Sequence, residues 1–291
     1  QLSGKPKPPA HWGKEQIGFD QWEGDWVDNR WKESQIGRWL SSVVGGLPGG
    51  AGRKMTSIRV GDQQQATVCF DAENAQVRAI WTGGFLKFNP ARFGIIGAPS
   101  PDGGFMFQAT EHVGWASSGS RNTSEADGSL ATSATKDFPK VKFRGLHAHG
   151  ERVVLNYEVD GVVVRESPWC EQIGDRLVVT RLIEVEPATS DLQLLLHHKA
   201  DNIEMSKNAP VALLRKTGDI GSWIGVRSES NIEPFVTSGG GGLSGGFKIP
   251  AGREVRRLKL VYWTGLLKDK AGWEQALAAV TAPQPIAEPE L

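Results

Sequence analysis

Cysteine is scarce in this 291-residue chain: Cys69 and Cys170 are the only two. Neither belongs to a CxxC or CxxCH run, so the sequence offers no zinc knuckle, redox dithiol or covalent haem attachment of its own. The cysteines read as separate buried apolar side chains, with a disulfide as the alternative. An excess of one charge is also lacking, because 33 basic residues cancel 33 acidic ones. Without a basic stripe to follow a phosphate backbone, nucleic acid is not an expected partner. No apolar run approaches the roughly 20 residues of a spanning helix, so no membrane span is expected. No repeat recurs at a solenoid or propeller period. The chain begins at Gln1 without Met and carries no signal peptide, as a mature secreted or periplasmic protein would.

Strand signals, by contrast, are plentiful. Val153 to Val159 and Val162 to Val164 flank Asp160-Gly161, a pair suited to the positive-φ positions of a two-residue hairpin turn. Further strands are expected at Gly37 to Val44, Met55 to Val60, Ala66 to Asp71, Gln76 to Trp81, Phe85 to Phe88 and Phe105 to Ala109. Beyond the hairpin they resume at Arg176 to Val185, Asp191 to His198, Val211 to Lys216, Ser222 to Val226 and Val255 to Thr264. Between many of them lie glycine-rich turns, which argues for antiparallel pairing rather than a βαβ layout. One helix is expected, Lys270 to Thr281, with Trp273, Leu277 and Val280 on one face. The expected fold is therefore all-β: an antiparallel β-sandwich with long loops and one C-terminal helix. Residues 1–35 read as an extended Trp-rich lead-in, 36–281 as the sandwich domain and 282–291 as a Pro-rich linker or tail.

Few residues offer chemistry. His147 and His149 are two apart in a strand and project to one face, half of a metal site without a nameable third ligand. No metal site is assigned. Ser238 to Gly246 (SGGGGLSGG) lacks the Lys-Ser/Thr and helix start of a phosphate loop and reads as a flexible surface loop. Asp71, Glu73, Glu111, Glu166 and Glu171 lie near turns, with nothing to show that any two face each other as glycosidase carboxylates must. Eleven tryptophans remain. Trp81 and Trp263 sit in apolar strands and read as packing, whereas Trp115, Trp169 and Trp223 lie near loops and are candidates for exposed indoles that stack on a sugar.

Three segments together form a domain signature: Ala66 to Asp71, Trp81 to Leu86 and His149 to Leu155, the last followed by Tyr157 and Asp160-Gly161. Over roughly residues 35 to 280, the chain resembles an uncharacterised N-terminal domain of large secreted bacterial proteins. Those proteins also carry a propeller similar to quinone-dependent sugar dehydrogenases and c-type cytochrome modules. The resemblance implies that haem and quinone chemistry belongs to other modules, with no cofactor in this chain. His147 stands where that pattern more often has an aromatic residue.

The leading expectation is a noncatalytic module of an exported redox or carbohydrate-active protein, touching partner domains of the same or an associated redox protein, or a polysaccharide. Its candidate ligand-binding residues are Trp115, Trp169, Trp223, His147 and His149, and no catalytic residue is assigned. The alternatives are a sugar-acting enzyme of sandwich fold, with carboxylates or the His pair as acid and base, and a structural subunit of a surface assembly.

Overall fold

A computed structural model describes residues 36–89, 97–109, 114–117, 139–200, 204–205, 211–229, 232–239 and 242–287. The lead-in, and most of the segment between Asn89 and Lys136, lie outside the described residues. The strands are β1 Trp39–Val44, β2 Gly52–Val60, β3 Ala66–Asp71, β4 Gln76–Thr82, β5 Leu86–Lys87, β6 Ser100–Pro101, β7 Gly104–Gln108, β8 Trp115–Ser117 and β9 Val141–His149. They continue as β10 Arg152–Val159, β11 Val162–Ile173, β12 Arg176–Val185, β13 Leu192–Ala200, β14 Glu204–Met205 and β15 Val211–Thr217. β16 Ile220–Ser228, β17 Glu233–Gly239, β18 Gly242–Ile249 and β19 Arg256–Leu266 follow, then a 3-10 turn at Leu267–Asp269 and the helix α1, Lys270–Ala279.

All pairings are antiparallel, as the alternating turns and strands imply. Five strands form the sheet β1-β2-β3-β4-β7, eight form β14-β15-β16-β19-β12-β11-β10-β9, and four form β17-β18-β13-β8. β5 and β6 make a short ribbon. Val68 and Phe70 of the first sheet, Leu192, Leu194 and Phe247 of the third, and Leu155, Tyr157, Ile183 and Leu260 of the large sheet meet in one core. The molecule is thus an all-β sandwich, with inward residues at every second position.

The period of two explains why strands here are buried on both faces. Along β3, Val68 and Phe70 enter the main core while Cys69 joins Met55, Trp81 and Phe85 in a second cluster on the other face. Along β19, Leu258, Leu260 and Tyr262 face inward, whereas Val261 and Trp263 face α1. There Trp273 stacks on Trp263 with centroids 5.6 Å apart, and Trp263 on Trp223 at 4.8 Å. A Cβ added to Gly225 would lie 2.5 Å from a Leu277 methyl, so glycine in β16 lets the helix sit this close. α1 ends two residues earlier than the periodicity implies because Val280 turns to extended backbone, φ −61°, ψ 130°. The chain then runs without regular structure over the outer face of the large sheet.

Asp160 and Gly161 have φ of 50° and 85°, and Val159 pairs with Val162 across them, the expected hairpin. The expectation of a loop at Ser238 to Gly246 is overturned: 233–239 and 242–249 are paired strands. Side-chain pattern could not reveal β18, since its glycines carry none. Its place is set by pairing with β13, where a Cβ on Gly246 would meet the Leu194 carbonyl oxygen at 2.1 Å.

One polar network lies inside the main core. Arg181 in β12 donates from Nε and Nη2 to Glu166 of β11 at 2.6 and 3.0 Å, and from Nη1 to the Tyr262 hydroxyl at 2.7 Å. The Tyr157 hydroxyl donates to the same carboxylate at 3.1 Å. Burial works against the charge on Arg181, but the facing Glu166 carboxylate overrides it and holds the guanidinium protonated. Burial, then Glu166, raises the Tyr157 hydroxyl well above its usual range.

Candidate functional site

The outer face of the large sheet changes character along the strands. Under α1 it is apolar, and away from the helix it becomes polar in directly opposed positions. Ser167 of β11 faces Leu182 of β12, which faces Lys259 of β19. One step toward the helix, Trp169 opposes Thr180. At the other edge Arg152 opposes His149, and Val154 opposes His147.

Residues 281–287 pass above this polar area and leave a cleft of about 370 Å³ between themselves and the sheet. Its floor is His149, Arg152, Val154, Ser167, Glu171, Thr180, Leu182 and Lys259; its other wall is built from Thr281, Ala282 and residues 284–287. The covering segment is anchored at several points. Lys259 Nζ donates to Thr281 Oγ1 at 3.0 Å, and the Ile286 N–H reaches Glu184 Oε2 at 3.4 Å. Val280 and Ile286 are buried. The Pro-rich stretch expected to be a linker or tail therefore forms one wall of the cleft over residues 282–287.

Charges in and around the cleft are mostly paired. Lys259 Nζ and Thr180 Oγ1 both donate to Glu171 Oε1 at 3.2 Å. Nearby, Glu184 is held between Arg165 and Arg257, each at 2.6 Å. Two groups stand apart. The Ser167 hydroxyl is buried on the cleft floor with no hydrogen-bond partner among the described residues. Arg152 lays its guanidinium over the Trp169 ring, 4.2 Å from the centroid, and makes no hydrogen bond or ion pair among the described residues. Burial lowers its pKa, while the Glu171 and Asp62 carboxylates act in the opposite direction.

Of the residues singled out from the sequence, His149 reaches this cleft, exposed at its edge. His147 shares its strand face as expected, but its Nδ1 faces Asn156 Nδ2 at 3.2 Å and its Nε2 is buried without a partner among the described residues. Among the described residues, no group of three His, Cys, Asp or Glu is placed to hold a metal ion. The expectation of exposed indoles is overturned at all three positions. Trp115 is 0% exposed, 6.2 Å from the Tyr157 ring; Trp169 is 7% exposed beneath Arg152; Trp223 is 2% exposed within the stack under α1. Nearness to a loop misled because an indole buries more apolar area than almost any side chain, and Trp169 and Trp223 lie inside the long strands β11 and β16, with Trp115 opening the short β8. Cys69 and Cys170 are both free and buried, which decides against the disulfide. They belong to different clusters, and burial pushes each thiol up to about 12.

The sequence did not single out Ser167, Thr180 or Lys259, and it did not bring Arg152 and Glu171 together with them. Their signal was present as polar residues at alternate positions of otherwise apolar strands, as in Arg256–Leu266 (RRLKLVYWTGL). That pattern marks an outer face without saying what covers it.

Comparison with known proteins adds the following. A family described as "Domain of unknown function (DUF6797)" matches residues 68–166, from within β3 to within β11. No curated protein matches the chain in sequence. A solved heparinase III gene product is 11% identical, aligned over 78% of this chain and 36% of that one, with a TM-score of 0.39. The heparan sulfate lyase HepC from Pedobacter heparinus is 11% identical over 73% of this chain and 35% of its own, also with a TM-score of 0.39. The chain thus spans little more than a third of the length of either enzyme, and a likeness this distant carries no argument about function.

Proposed function

We propose that this chain is a noncatalytic β-sandwich module of an exported multidomain protein and that it contacts a glycan through the cleft beneath residues 281–287. The observation that supports this reading most is the lining of the cleft. It alternates hydroxyls and charges (Ser167, Thr180, Glu171, Lys259) with aliphatic surface (Val154, Leu182, Ile286). Saccharides present the same alternation of hydroxyl edges and C–H faces, and a concave site with a few placed polar groups is how small ligands are held. Binding rather than bond cleavage is favoured because Glu171, the carboxylate of the described lining, is engaged by Lys259 and Thr180. Among the described residues of the lining, no second carboxylate stands opposite it to share acid and base roles. In this reading the chain carries no cofactor of its own, and redox chemistry resides in other modules that the resemblance implies. Secretion or a periplasmic location is part of the same proposal.

The test is calorimetric titration of plant and algal polysaccharides and their oligomers into the chain. Leu182→Trp, which fills the cleft from its floor, should abolish binding while leaving the β-sheet circular dichroism unchanged. Equal binding by the filled variant would move the contact elsewhere.

A further inference from the structure

The unpaired groups of the cleft point to the kind of saccharide it takes, an inference that rests on the glycan reading above. Lys259 and Glu171 neutralise each other at 3.2 Å, and Thr180 adds its proton to the same carboxylate. What remains uncancelled is donor capacity. Arg152 presents five N–H groups with no hydrogen-bond partner among the described residues, and its guanidinium plane is held against Trp169. Ser167, 4% exposed, offers a hydroxyl with no partner among the described residues. Lys259 has three protons and two described acceptors, Glu171 and Thr281. His149 lies beside Arg152 in the paired strand and can add a further N–H.

A buried hydroxyl left without a partner costs free energy that an incoming acceptor restores. A guanidinium fixed by stacking has already lost much of its rotamer freedom and presents a planar fork, the geometry that carboxylate and sulfate oxygens match. Glu171 and Asp62 act on the Arg152 charge without a hydrogen bond or ion pair to it, and a neutral sugar hydroxyl would still leave its fork without an anionic acceptor in a half-enclosed cleft. We propose that the cleft binds an acidic saccharide, with the anionic group, a carboxylate or a sulfate ester, gripped by Arg152 and the adjoining sugar oxygen taken by the Ser167 hydroxyl.

The experiment titrates the full chain with three probes: oligogalacturonides, the same oligomers after carboxyl reduction, and sulfated galactan oligomers. It repeats them with Arg152→Gln and with the nearly isosteric Ser167→Ala. The acidic oligomers should bind, and the carboxyl-reduced ones should be weaker by about tenfold or more, as expected for loss of a charge-assisted pair. Arg152→Gln should remove that difference, and Ser167→Ala should weaken the acidic ligand with the unfolding midpoint preserved. Preference between the carboxylated and sulfated probes identifies which anion is meant. If reduced and acidic oligomers bind equally, or Arg152→Gln leaves acidic binding intact, the anion proposal is overturned and the glycan reading stands. If polyglutamate displaces the acidic oligomers at equal concentration, an acidic peptide replaces the saccharide. If no oligomer of any kind binds, both readings fall together.

Discussion

At the scale of single residues, the two thiols are the simplest case. Each is buried within a hydrophobic cluster, and burial is the main cause that lifts each from 9.0 to about 12. The folded state therefore keeps protons that the unfolded chain gives up. Their contribution to stability is complete below about pH 9 and declines as pH rises from there toward 12. Urea unfolding midpoints should fall across that window, and Cys69→Ala should flatten part of the decline; an equal slope in the variant would count against it. Native protein at pH 8 should also react slowly with a thiol reagent. Gly161, at φ 85°, makes a second prediction: Gly161→Val should cost about 1–3 kcal/mol through backbone strain, read as a lower melting temperature. That residue was legible from sequence, because an Asp-Gly between valine runs has one common use. Ser167 was not legible, since a serine in a strand looks the same whether water or a cleft lies above it.

At the scale of elements, the alternation of apolar and polar residues revealed most strands and the face of α1 that packs. It failed at β17 and at the glycine-rich β18, which has few side chains to alternate; β18 is placed by pairing with β13, and β17 by pairing with β18. It also failed at residues 282–287, where proline and alanine gave no period but Ile286 supplies an anchor. The helix is held by the Trp223–Trp263–Trp273 stack. Trp273→Ala should destabilise by about 3–5 kcal/mol, the cost of truncating a large buried aromatic, and should reduce the near-ultraviolet dichroism of the coupled indoles. A loss under 1 kcal/mol would show that the helix is not docked as described. In β11 and β12, Glu166→Leu alone should cost about 3–5 kcal/mol by stranding the Arg181 charge, whereas Glu166→Leu with Arg181→Met should cost much less. Chemical unfolding of the three proteins measures the difference.

At the scale of the whole molecule, one sandwich buries its three sheets against each other and leaves one outer face split between a helix and an extended segment. The split follows from composition: Val178, Val261 and Trp263 recruit α1, while Ser167, Thr180 and Lys259 lie in the cleft that residues 281–287 wall off. Fold class could be read from strand periodicity, because most strands repeat the same signal. The site could not, because it is assembled from β9, β10, β11, β12, β19 and the C-terminal stretch, which only the fold brings together. The central claim is that this cleft holds the ligand. Hydrogen exchange followed by mass spectrometry, with and without an oligosaccharide identified by titration, tests it most directly. Added protection is expected in peptides covering 149–154, 167–182, 257–261 and 280–287. Protection confined to any other face, with these peptides unchanged, would contradict it.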